Sequence, residues 1–152
     1  MGYVSFIAVV AAVGGFLFGY DTAVISGTID VVGRQFSLDA LQKGWYVGCA
    51  LVGSIFGVAV AGMIGDCLGR KKAMVLSALL FTVSAAGCAV SASFGELVAY
   101  RIVGGVGIGM VSIISPLYIS EVSVPEHRGR LVSLYQLAIT VGFLGAYIAN
   151  YA

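Results

Sequence analysis

Apolar residues in this chain run in long blocks instead of alternating with polar ones. Five blocks reach the roughly 20 residues a helix needs to cross a bilayer: Val4 to Ile25, Trp45 to Ile64, Ala73 to Ser93, Leu97 to Tyr118, and Leu131 to Ala152. Period-2 alternation is absent, and a membrane-spanning sheet would have to close into a barrel. The predicted fold class is therefore all-α, a polytopic membrane bundle of five transmembrane helices. The break between the third and fourth blocks is little more than Gly95 and Glu96, which predicts a tight hairpin there.

Composition agrees with that pattern. Hydrophobic residues make up 60% of the 152 positions and charged ones 10%, far from the mixture of a water-soluble domain. Glycine occurs 22 times, and in apolar helices it marks close packing, because lipid gives helices no hydrophobic reason to associate. Net charge is +1 with no basic cluster interleaved with aromatics, so nucleic acid is not an expected partner. Cys49, Cys67 and Cys88 are widely spaced and odd in number, which predicts neither a disulfide nor a metal site. His127 sits among charges in a short loop and reads as solvated. The apolar N-terminus lacks a basic region and a small-residue cleavage site, so it reads as a retained helix and not a signal peptide.

Charge sets an expected orientation. Arg70, Lys71 and Lys72 follow helix two, and Arg128 and Arg130 follow helix four, while the opposite side holds Arg34 and Lys43. This excess predicts a cytoplasmic N-terminus in a multi-pass membrane protein. Transporter halves are built from paired three-helix units. Helices one to three make one unit, and helices four and five leave the second short by one. The expectation is an N-terminal transmembrane bundle, residues 1–152, without its sixth helix and C-terminal half.

Two charges interrupt the spans, Asp21 and Arg101. An ionised side chain at the bilayer centre costs roughly 2.5 to 3.5 kcal/mol on insertion scales. Helix one ends and helix four begins on the same side of the membrane, and each residue lies one turn inside its boundary, about 6 Å at the helical rise. Matched depth allows the two to pair. The alternative is that both snorkel to the interface as anchors. The run from Arg101 to Gly109 has a glycine-rich look, but no strand precedes it and no acidic residue follows at a ribose-binding distance. Gly105 and Gly109 have instead the spacing that lets helix backbones approach.

A second charged set lies between Gly62 and Lys71, where Gly62, Gly65 and Gly69 permit a tight turn and Asp66 stands near Arg70 and Lys71. Glu121, Pro125 and Arg128 end helix four on the same face. The two sets read either as a latch between helices or as ordinary positive-inside decoration.

At this point the chain resembles the sugar porter family of the major facilitator superfamily over essentially its whole length. Four stretches carry the resemblance: Phe16 to Gly27, Gly62 to Lys71, the run from Val103 through Gly105, Gly109, Tyr118 and Glu121 to Arg128, and Leu131 to Gln136. The likeness is greatest to bacterial proton-xylose and related proton-sugar symporters, which carry Asp at the position of Asp21 where uniporters typically carry Asn. The resemblance implies alternating-access transport of a sugar with protons, with no cofactor and no enzyme chemistry. It implies Asp21 as the proton-binding carboxylate and Arg101 as the cation that releases it on protonation. It further implies Gln136 as a hydrogen-bonding partner of sugar hydroxyls, Phe18 as a lining residue of the cavity, and Asp66, Arg70, Glu121 and Arg128 as a cytoplasmic charge network that holds the outward-facing state. Cys67 departs from the family, which usually has a basic residue after the loop aspartate. From the residues alone Gln136 reads equally as a polar helix contact. Rival readings are a facilitative sugar or polyol uniporter of the same fold and a truncated membrane protein that does not transport.

Overall fold

The computed structural model describes residues 2–151, with the side chains of residue 6 and of residue 8 onward. These form five helices: α1 (Gly2–Gln35), α2 (Ala40–Leu68), α3 (Arg70–Val90), α4 (Phe94–Val122) and α5 (Arg128–Tyr151). All five are long and apolar enough to cross a membrane, in agreement with the all-α expectation. The predicted end of the fifth span, Ala152, lies outside the described residues.

The boundaries differ from the predicted spans where something other than hydropathy decides. α1 continues from Ile25 to Gln35. At about 1.5 Å per residue its full length exceeds a hydrocarbon layer of about 30 Å. The reason is a stripe at helical spacing, with Ile25, Ile29, Val32 and Phe36 packing beside Tyr46 and Leu97. Asp30 and Arg34 stay exposed. The hairpin turn between α3 and α4 also shifts, to residues 91–93 from the expected Gly95 and Glu96. There the Glu96 N–H donates to Ser93 Oγ at 3.3 Å, and the Ala92 N–H donates to Glu96 Oε2 at 3.1 Å. This mutual cap winds Gly95 and Glu96 into the first turn of α4. Of the three glycines expected to turn the chain after helix two, Gly62 and Gly65 lie within α2. Gly69 alone makes the turn, at φ +84°, a conformation that a β-carbon would strain.

α4 is the central helix and touches each of the other four, while α1 lies along α5. Glycines on two faces of α4 let both neighbours in. A β-carbon on Gly105 or Gly109 would strike the backbone carbonyls of Ala50 and Ser54 in α2, and one on Gly107 would come within 2.8 Å of the Ser77 carbonyl in α3. α2 answers with Gly53 and Gly57, which lie against the carbonyls of Ile102 and Val106. In lipid such fit is what holds helices together.

Replacing Gly109 with leucine is expected to destabilise the bundle by about 1 to 3 kcal/mol through overpacking against a backbone that cannot yield. The same change at Gly62, where nothing lies within 4 Å of the added carbon, should leave the melting temperature in detergent nearly unchanged. Equal melting temperatures for the two variants would contradict the packing described.

Candidate functional site

Asp21 on α1 and Arg101 on α4 meet inside the bundle. Arg101 Nη2 lies 3.6 Å from Asp21 Oδ2, an ion pair too long for a hydrogen bond. The helix crossing explains the meeting. α1 and α4 run in opposite directions, and at Gly14 an added β-carbon would sit 2.9 Å from Val111 and 3.2 Å from Ser115 Oγ. Two turns further along α1 stands Asp21, and about three turns back from Val111 along α4 stands Arg101. Arg101 is 9% exposed, so it does not extend to solvent as an interface anchor would. Among the described residues its Nε and Nη2 have no hydrogen-bond partner.

A residue that sequence reasoning did not single out completes the arrangement. The Tyr46 ring of α2 lies under the guanidinium, with Arg101 Cζ 5.1 Å from the ring centroid, within the range of a cation–π contact. The Tyr46 hydroxyl meets Thr28 Oγ1 of α1 at 3.3 Å. No spacing rule marks Tyr46, because an aromatic at the start of an apolar span reads as an interfacial anchor.

The second charged set comes together at the opposite end. Arg70 Nη1 is 2.8 Å from Asp66 Oδ1, and Arg70 Nε donates to Glu121 Oε1 at 3.2 Å. Arg70 therefore ties the end of α2 to the end of α4. Its guanidinium lies over Gly65, where a β-carbon would come within 2.6 Å of Nη1. Arg128 is exposed, and the ion pairs of this cluster do not include it. Cys67 is also exposed.

Gln136 and Phe18 lie apart from the ion pair. Gln136 is exposed on α5. Phe18 is half-buried and packs on a cluster that includes Ile119, Tyr135 and Ile139. It also borders an apolar crevice of about 280 Å³ between α1, α3 and α4, whose lining includes neither Asp21 nor Gln136.

Comparison with known proteins gives a consistent picture. Residues 7–152 match the family described as sugar (and other) transporter. The chain is 46% identical over 149 residues to a glucose transport protein of Synechocystis, covering 98% of this chain and 32% of that protein. It is 42% identical to an arabinose-proton symporter of Bacillus subtilis, covering 100% of this chain and 33% of that protein. It is 38% identical to the D-xylose-proton symporter of Escherichia coli, covering 98% of this chain and 36% of that protein. The structure of the proton:xylose symporter XylE bound to 6-bromo-6-deoxy-D-glucose superposes with a TM-score of 0.91 at 37% identity, covering 99% of this chain and 37% of that one. The chain thus spans about a third of the length of these relatives.

The Arg70 cluster yields a stability prediction. Partly exposed ion pairs contribute about 0.2 to 1 kcal/mol each, so Arg70→Met should cost about 1 kcal/mol and Glu121→Gln less. The double variant should be no worse than Arg70→Met alone, since the arginine is the shared partner. Thermal unfolding in detergent at low and high salt reads this, and the differences should shrink as salt rises. Full additivity of the two changes would mean that the residues act separately.

Proposed function

The chain belongs to the family of sugar (and other) transporters, and from that premise we propose that it forms the first five membrane helices of a sugar–proton symporter, with Asp21 binding the transported proton. One observation carries this reading, the enclosed ion pair between Asp21 and Arg101 at 3.6 Å. A carboxylate beside a buried guanidinium attracts it as an anion, and loses most of that attraction as a neutral acid. Proton arrival therefore loosens a contact between α1 and α4. A proton shifts the balance between two conformations only by the difference in its affinity for them. A pair closed in one state and released in the other supplies that difference.

The substrate is proposed to be a sugar, in line with the glucose, arabinose and xylose in the relatives' names. Gln136, exposed on α5, is available to hydrogen-bond sugar hydroxyls in a cavity closed by a second bundle, with Phe18 as an apolar wall. A sixth helix and a C-terminal half complete the transporter in this reading, and the halves rock about a midplane site. The N-terminus lies in the cytoplasm, following the basic residues Arg70, Lys71, Lys72, Arg128 and Arg130. The cluster of Asp66, Arg70 and Glu121 holds the outward-facing state there.

Two outcomes test the proposal. In the complete transporter, reconstituted in vesicles with an imposed proton gradient, Asp21→Asn should abolish sugar accumulation while downhill exchange survives. The amide keeps the size of the side chain but cannot gain and lose a proton. Continued concentration of sugar by this variant would overturn the assignment of the proton to Asp21 and favour uniport or a carrier group elsewhere. The 152-residue chain by itself should show no saturable uptake, since one bundle cannot enclose a site between two; uptake competed by a second sugar would contradict the two-bundle reading.

A further inference from the structure

We propose that Tyr46 is a positioning residue whose ring holds Arg101 in place when Asp21 takes up the proton. The inference rests on the symport reading above and adds to it a second partner for the arginine. Without one, protonation of Asp21 would leave a buried guanidinium with no counter-charge, in a setting where an unpaired ion is costly.

The geometry favours the ring. The contact to Asp21 is long, at 3.6 Å, and Nε and Nη2 of Arg101 lack hydrogen-bond partners. The Tyr46 face, with Arg101 Cζ 5.1 Å from its centroid, attracts the cation through the ring quadrupole, and takes more of it once a neutral Asp21 no longer draws it away. Tyr46 is itself fixed. It is 4% exposed and packs with Ile25 of α1 and Leu97 of α4, and its hydroxyl meets Thr28 at 3.3 Å. Thr28 stands two turns along α1 from Asp21. The ring thus keeps the guanidinium at its station between α1, α2 and α4, ready to pair again when the proton leaves.

A direction follows for the pH dependence of transport. Because the ring holds the cation more fully when Asp21 is neutral, removing it destabilises the protonated state more than the ionised one, so protonation becomes harder and the profile moves to lower pH. A desolvated cation–π contact is strong enough to move it by roughly half to one pH unit. Titratable groups that feel the guanidinium include Asp21 on α1, Cys49 on α2 and Cys88 on α3, besides Tyr46 itself. A background with Cys49→Ser and Cys88→Ser removes the thiols from the measurement.

The experiment measures proton-driven sugar accumulation across a pH series in vesicles containing the complete transporter. Tyr46→Leu should shift the profile to acid, and Tyr46→Phe, which restores a ring face, should recover most of the shift. Phenylalanines of increasing ring fluorination at position 46 keep shape while weakening the quadrupole, so they test the contact even where the leucine variant fails to fold. The profile should move to acid step by step along that series. Equal profiles for leucine and phenylalanine, or no trend with fluorination, would overturn the role of Tyr46. If Asp21→Asn in the same preparation still concentrates sugar, the symport reading itself fails instead.

Discussion

Lipid offers helices no hydrophobic reward for meeting, so this bundle depends on how closely its backbones can approach. α4 carries that constraint. Gly105 and Gly109 admit α2 on one side, and Gly104 and Gly107 admit α3 on another, with Ser84 and Ser77 as the facing residues. The remaining side is left to α1, where Gly14 lies against Val111 and Ser115. A helix so enclosed can bury an arginine. Arg101 is placed deep in the bundle by the glycines that follow it along the same helix.

The close crossing of α2 with α4 has a counterpart in that of α1 with α5. Gly19 lies against the carbonyl of Ile139, and Gly142 against that of Phe16. Membrane transporters are commonly built of repeated three-helix units of opposite topology. Matching helix one to four and two to five carries the pair α4 and α2 onto the pair α1 and α5. α1 and α4 then occupy equivalent places in the two units. Asp21 and Arg101 are opposite charges on those equivalent helices, and their contact joins one unit to the other.

What the sequence reveals here depends on which force sets each feature. Membrane spans are set by hydropathy, so the five helices were legible, as was the pairing of two charges at matched depth. Helix ends beyond the membrane are set by packing and caps. The α1 extension follows Ile29 and Val32 onto Tyr46 and Leu97, and the α3 to α4 turn follows the Ser93 and Glu96 cap, contacts that a hydropathy reading does not weigh. The charge cluster was legible as far as Arg70 and its two carboxylates. Arg128 was placed with them by proximity in the pattern, yet it begins α5 at the exposed surface. Tyr46 was not legible at all, since its meaning comes from a guanidinium on a helix two elements away.

The looseness of the ion pair has its own significance. Two unit charges about 4 Å apart attract by about 4 kcal/mol at an effective dielectric near 20, while desolvation costs several kcal/mol per ion even after relaxation. The attraction therefore does not by itself offset the cost of burying both ions. A short, bidentate pairing with every nitrogen satisfied would hold the carboxylate ionised and so resist the arrival of a proton. At 3.6 Å, with Nε and Nη2 unpartnered, a single proton is enough to tip the contact. The ring of Tyr46 makes that weakness tolerable, because it keeps the cation attended in either state.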